Sequence, residues 1–226
     1  MWIIGDIHGC HAELDQLLGQ VPEDEKLLFI GDYVDRGPDS ALVIERLLRE
    51  RERSVFLLGN HEAMLLSYYL APDSREALAW TYPVNGGPTT LASYRLTPTD
   101  PFEAYPPAHR RFFTEDLRLH YEDEEFIAVH AGVRVTGSTQ LARQQREDLL
   151  WIREDWLRNE HRWNGKPVFY GHTPSRYVLG LAEQHEPIMG QNSIGIDTGC
   201  VYGGSLTAIH SQTRELIQVR AARSYV

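Results

Sequence analysis

The 226-residue chain predicts an α/β fold, two β-sheets facing each other with helices outside, and three observations carry that reading. The first 66 residues alternate short, continuously apolar runs with segments whose leucines and isoleucines recur at helical spacing. Each of the first three runs leads directly into glycine followed by an acidic or amide residue, as in the loops at the carboxyl edge of a parallel sheet. Beyond residue 120, five further apolar runs are separated by turns.

The elements follow in order. Trp2–Ile4, Leu27–Ile30 and Val55–Leu58 are apolar at nearly every position, so they read as strands buried on both faces. Between them, Leu14, Leu17, Leu18 and Val21 mark one helix. Ile44, Leu47 and Leu48 mark a second, begun by Pro38-Asp39-Ser40. The β-α-β-α-β order implies parallel pairing with right-handed crossovers. Residues 71–107 hold seven of the 12 prolines and little periodicity beyond a short helix near Ser74–Trp80. This stretch reads as an insertion or cap over the site, with Asn85-Gly86-Gly87 either a turn or a backbone element facing substrate. Phe126–Val129, Pro167–Tyr170, Ile194–Ile196, Leu206–Ile209 and Leu216–Val219 are the remaining strands, the last three expected to form a largely antiparallel meander. A single domain, 1–226, accounts for the whole chain.

Composition narrows the function. The net charge of -10 argues against a broad basic surface for nucleic acid, although bound cations would reverse the field locally and leave phosphorylated substrates open. No run approaches the ~18 apolar residues of a membrane span. Met1-Trp2-Ile3-Ile4-Gly5-Asp6 enters a motif with no basic region before it, so a signal peptide is not expected and a cytoplasmic protein without membrane partners is. Cys10 and Cys200 suit a reducing compartment and lack metal-finger spacing. Neither is followed by arginine six residues on, and Gly165-Lys166 runs into Pro167, which excludes a cysteine-phosphatase loop and a Walker loop.

The chemistry lies in Gly5-Asp6-Ile7-His8-Gly9, Gly31-Asp32-Tyr33-Val34-Asp35-Arg36-Gly37 and Gly59-Asn60-His61-Glu62, followed by the isolated His130 and His172. Taken alone, an aspartate at a strand end is a turn or a helix cap. Together these segments offer the carboxylate, amide and imidazole donors that a pair of hard or borderline divalent cations needs. Asp32, with two oxygens, suits a bridging position. His11, His109, His120, His161, His185 and His210 fall outside the motifs and read as surface or structural.

These segments resemble the metallophosphoesterase (calcineurin-like) superfamily, and within it the phosphoprotein phosphatase family, especially its compact bacterial and phage-type members. The resemblance implies a four-layer α-β-β-α sandwich with two central mixed β-sheets. It places one metal on Asp6, His8 and Asp32 and the other on Asp32, Asn60, His130 and His172; mixed carboxylate, amide and imidazole donors suit Mn²⁺, with Fe or Zn as alternatives. A metal-bridging hydroxide would attack phosphorus in line. His61 would be the general acid, oriented by Asp35, with Arg36, Asn60 and Arg153 (in Leu150-Trp151-Ile152-Arg153) binding the phosphate. Glu62 would orient a loop or cap a helix, and Asp197 would be structural. Many superfamily members carry Gly-His-x-His where this chain has Gly171-His172-Thr173-Pro174, and together with Asp35-Arg36 that favours the phosphatase branch. The expected substrate is therefore a phosphorylated protein or small phosphomonoester, cleaved by a Ser/Thr-type phosphatase. The alternative is hydrolysis of dinucleoside polyphosphates, since enzymes of that kind share an opening like Gly-Asp-Ile-His-Gly-Cys; a non-catalytic scaffold is a third reading. Sequence leaves the oligomeric state open.

Overall fold

A computed structural model describes residues 1–135, 140–157, 165–178 and 185–226; His161 lies outside them. The chain first lays down β1 (Trp2–Ile4), β2 (Leu27–Phe29), β3 (Ser54–Leu57) and β4 (Leu117–Arg118). It then forms β5 (His120–Glu122), β6 (Ile127–Val129), β7 (Val168–Tyr170), β8 (Ile188–Met189) and β9 (Ser193–Gly195), and returns with β10 (Ser205–His210) and β11 (Leu216–Arg220). The first sheet has the order β11-β10-β1-β2-β3-β4, the second β5-β6-β7-β9-β8.

Alternation of side chains along each strand builds the layers. Ile3, Leu28 and Leu57 of the first sheet meet Ala128, Phe169 and Ile194 of the second in a core between the sheets. Trp2, Ile4, Leu27, Phe29 and Phe56 point the other way, onto Leu14, Leu17, Val43, Ile44 and Leu47 of α1 (His11–Leu18) and α2 (Ser40–Arg49). Ile127, Val129, Val168 and Tyr170 likewise back onto Leu149, Ile152 and Trp156, in and beside two short helices at Arg146–Trp151 and Glu154–Leu157. Helix, sheet, sheet, helix: the four layers follow from strands that bury both faces.

Pairing of β1, β2 and β3 is parallel, with Ile4 opposite Phe29 and Phe29 opposite Phe56. The three carboxyl ends therefore stand level, and the loops that follow them open on one edge. The expected meander is corrected by the structure. β10 and β11 are antiparallel, but β9 belongs to the other sheet, parallel to β7, with Ile194 committed to the core between sheets. A short apolar run carries no information about which of two stacked sheets will receive it.

Residues 71–107 hold more helix than their prolines suggest. α3 (Asn60–Leu70) leads into α4 (Arg75–Trp80), whose first turn is capped by Ser74 Oγ accepting from the Ala77 N–H at 3.1 Å. α5 (Gly87–Tyr94) follows a 3₁₀ turn at Pro83–Asn85, and a further helix spans Pro107–Arg111. Tyr69, Trp80, Tyr94, Phe102 and Tyr105 pack together around this region. Among the described residues no helix is long and apolar enough to cross a membrane.

Candidate metal centre

The loops after β1, β2 and β7 adopt backbone conformations that side chains disfavour. His8, Asp32, Asp35, Arg36 and His172 have φ of 47°, 55°, 72°, 68° and 66°. Among non-glycine residues the left-handed region is uncommon, and its concentration here is strain held by the surroundings. Glu62 is the main restraint. Wholly buried, it accepts the N–H groups of Asp32 (2.9 Å), Tyr33 (2.7 Å), Val34 (3.1 Å) and Gly59 (3.1 Å), clamping the second loop and the start of α3 at once. Burial and the adjacent Asp32 charge push its carboxyl up to about 8, against the pull of those donors.

Asp32 sits at the middle of the cluster. Its Oδ1 accepts from the His61 N–H at 3.1 Å and lies 3.4 Å from His130 Nε2; its Oδ2 lies 3.5 Å from His8 Nε2 and 4.0 Å from His61 Nε2. Asn60 Oδ1 lies 2.9 Å from His130 Nε2 and 2.8 Å from His172 Nδ1. The Nδ1–H groups of His8 and His130 donate to the carbonyls of Val34 (3.0 Å) and Ile30 (2.8 Å). That hydrogen bonding assigns the Nε2 lone pairs to the centre, so imidazole, amide and carboxylate acceptors all converge on it. Asp6 Oδ2 accepts from the His172 N–H at 2.9 Å, while its Oδ1 is buried without a partner. Two triads, His8–Asp32–His61 and Asp32–His130–His172, each bring their donor atoms within 4.8 Å and share Asp32.

The electrostatics match the geometry. Burial pushes the pKa values of His8, His130 and His172 down, with the Arg36 charge adding to the effect on His8, so these imidazoles stay neutral. Burial opposes the charge on Asp32, but His130, His61, His8 and His172 together outweigh it and hold that carboxyl well below the usual range. Asp6 moves the other way, raised by burial and by Asp197 and Asp32. Neutral imidazoles around an ionised carboxylate, with one buried carboxylate oxygen unpartnered, fit divalent cations of hard or borderline character.

Beside the cluster, His61 Nδ1–H donates to Asp35 Oδ2 at 2.7 Å. Asp35 is fully buried and accepts from Thr90 Oγ1 (2.6 Å) and Trp80 Nε1 (3.0 Å), while its own N–H reaches Thr90 Oγ1 (2.9 Å). Trp80 and Thr90 come from the Pro-rich segment, so that segment supports the His61–Asp35 pair from behind. Asn85-Gly86-Gly87 is the turn that opens α5. Gly86 has φ 82°, and a Cβ there would stand 2.1 Å from the Arg36 nitrogen. Nothing in the sequence links Trp80 or Thr90 to Asp35; the helix signal at Ser74 locates Trp80 on a helix and no more.

Both predicted arginines reach the centre. Arg36 Nη1 donates to His8 Nε2 at 2.6 Å, and Arg153 Nη1 donates to the His172 carbonyl (3.2 Å) and Thr173 Oγ1 (2.8 Å). Asp197 forms a turn, its Oδ1 accepting from Gly199 N–H at 3.0 Å and its carbonyl from Ser175 N–H. Burial raises its carboxyl to about 6. His109 pairs with Tyr94 and Glu45, and His210 with the terminal amine, away from the cluster.

Fold and site together define a metal-dependent phosphoesterase. Residues 1–195 match the family of calcineurin-like phosphoesterases, and the chain belongs to it. It is 29% identical, over 99% of its length and 95% of the other's, to an asymmetrical bis(5'-nucleosyl)-tetraphosphatase of Anoxybacillus flavithermus. At the same coverages it is 30% identical to one of Geobacillus sp. strain WCH70. Among solved structures, a provisionally assigned diadenosine tetraphosphatase superposes with TM-score 0.67 at 23% identity, over 97% of this chain and 92% of that one. A Saccharomyces cerevisiae protein serine/threonine phosphatase superposes with TM-score 0.60 at 17% identity, over 98% and 79%. At these identities the structures show the shared fold. The superfamily expectation holds; the narrower placement among phosphoprotein phosphatases is not supported by the full-length relatives, which carry tetraphosphatase names.

Proposed function

We propose that this protein hydrolyses dinucleoside polyphosphates, with a phosphorylated protein the less favoured substrate. The observation that carries the hydrolytic reading is the convergence of His8, His130 and His172 on Asp32, with His61 beside them and held by Asp35. Full-length similarity to named tetraphosphatases supports the substrate class.

In this reading Asp32, Asn60, His130 and His172 hold one cation, and Asp6, His8 and Asp32 the other, with Mn²⁺ ahead of Fe or Zn for these donors. Bound there, two divalent cations would acidify a water for attack on phosphorus and offset charge on the phosphate oxygens. His61, its Nδ1–H fixed by Asp35, presents Nε2 toward the centre and gives its proton to the departing oxygen. Arg36 and Arg153 supply the fixed positive charge at the rim that an anionic phosphate chain requires. The chain acts as a single domain with residues 71–107 as a buttress. A cytoplasmic setting suits nucleotide substrates and two buried, free thiols.

The test is a substrate panel on metal-stripped protein reloaded with single ions. Diadenosine tetraphosphate should give ATP and AMP in equal amounts, with kcat/KM above that for a phosphoserine peptide. Preference for the peptide would return the protein to the phosphatase reading.

A further inference from the structure

We propose that Arg176, Tyr177 and Tyr202 form a second subsite that holds the part of a dinucleoside polyphosphate remote from the cleaved bond. A nucleobase would stack on Tyr177 and a non-scissile phosphate would pair with Arg176. This rests on the hydrolase reading above and locates the half of the substrate that a phosphomonoester lacks.

The three residues extend the centre outward. Arg176 follows His172 by four residues, at the start of a short helix, Ser175–Val178. Its guanidinium lies 4.7 Å from the Tyr177 ring centroid and 4.5 Å from that of Tyr202. The opposite end of the series is Arg36, which touches His8 and lies 5.7 Å from the Tyr202 ring. Cation, ring, cation, ring therefore run from a candidate ligand to solvent. That alternation matches a ligand made of phosphates and aromatic bases, because guanidinium groups bind phosphate oxygens and stack on rings, and every base has a stackable face.

Two features are left over if the cluster is packing alone. Tyr177 is 63% exposed, although a ring placed only for packing would be covered. Arg176 Nη2 donates to Tyr177 Oη at 2.8 Å, but its Nε is buried without a hydrogen-bond partner among the described residues. On a chain with net charge -10, an arginine four residues beyond His172 places local positive charge where an anionic ligand would need it.

The Pro-rich cap is the competing location and is poorly built for the task. Its Trp80 and Tyr105 are buried in their own aromatic cluster, and the apolar cavity lined by Tyr68, Trp80, Pro88 and Leu91 is only about 90 Å³. Ligand pockets are typically ~300 Å³ or more. Tyr82, 49% exposed, is the cap aromatic left open to a base.

The experiment compares KM for diadenosine tetraphosphate with KM for p-nitrophenyl phosphate in the full-length, manganese-loaded protein. In Tyr177→Ala and Arg176→Ala the ratio of the two KM values should rise about tenfold, the order expected for one stacking contact. Circular dichroism and thermal melting confirm that both variants are folded; Tyr177→Phe should restore the ratio. An unchanged ratio in both alanine variants overturns the subsite while leaving the hydrolase reading intact. A shift in Tyr82→Ala with none in Tyr177→Ala moves the base to the cap and also overturns it. Wild-type protein that cleaves p-nitrophenyl phosphate but not diadenosine tetraphosphate removes the underlying reading, and the subsite with it.

Discussion

His61 Nδ1 stands 2.7 Å from Asp35 Oδ2, and the far side of that carboxylate is held by Trp80 and Thr90. A histidine so fixed is suited to move a proton. His61→Asn should lower kcat by roughly 10²–10⁴-fold while leaving bound metal unchanged. Elemental analysis beside steady-state kinetics decides: metal lost in step with activity would make His61 a ligand.

Trp80→Phe keeps an aromatic ring but deletes the N–H aimed at Asp35 and part of the buried indole's packing. Removing a hydrogen bond to a buried carboxylate costs about 1.5–3 kcal/mol, so the urea midpoint should fall accordingly. Turnover should drop without loss of metal. Wild-type kcat in this variant would show that the Pro-rich segment does not position the acid.

Glu62→Gln replaces a four-fold acceptor with a side chain whose NH₂ must face backbone donors. Each N–H left unpaired costs about 1–3 kcal/mol. With two N–H groups facing each oxygen, equilibrium unfolding should show a loss of at least about 2 kcal/mol; an unchanged midpoint would contradict the clamp.

Asp32→Asn removes the charge at the point where both triads meet. Metal content after dialysis should fall below that of the wild type, and chelation of the wild type should abolish activity that added Mn²⁺ restores. A fully loaded variant would end the bridging assignment.

Gly171→Ala would place a Cβ 2.0 Å from Asp6 Oδ1 and 2.6 Å from Ile30 Cδ1. The Asp6 carboxylate has to move. Calorimetric titration should show weakened binding of one cation, whereas unaltered affinity for both would remove Asp6 from the ligand set.

The three loops are legible in the sequence because the strands before them are largely buried, which makes Trp2–Ile4, Leu27–Ile30 and Val55–Leu58 stand out as unbroken apolar runs. His130 and His172 stand out for a related reason, each following a buried strand. β4, β5 and β8 do not, because two or three residues such as Leu117–Arg118 carry no alternation to read. The left-handed backbone at His8, Asp35 and Arg36 is equally hidden, since glycine is the residue that advertises positive φ. Trp80 and Thr90 are 45 and 55 positions from Asp35, and only the folded chain brings them together.

In the proposed mechanism, the hydrogen bonds from Trp80 and Thr90 to Asp35 make proton donation answer to the Pro-rich region, whereas the proposed cation ligands lie outside it. Drift in the Pro-rich region can retune which leaving groups the protein tolerates, much as a trimming screw adjusts an instrument whose main bearings stay fixed. Directed evolution confined to that region should therefore alter leaving-group preference and leave cation occupancy where it began.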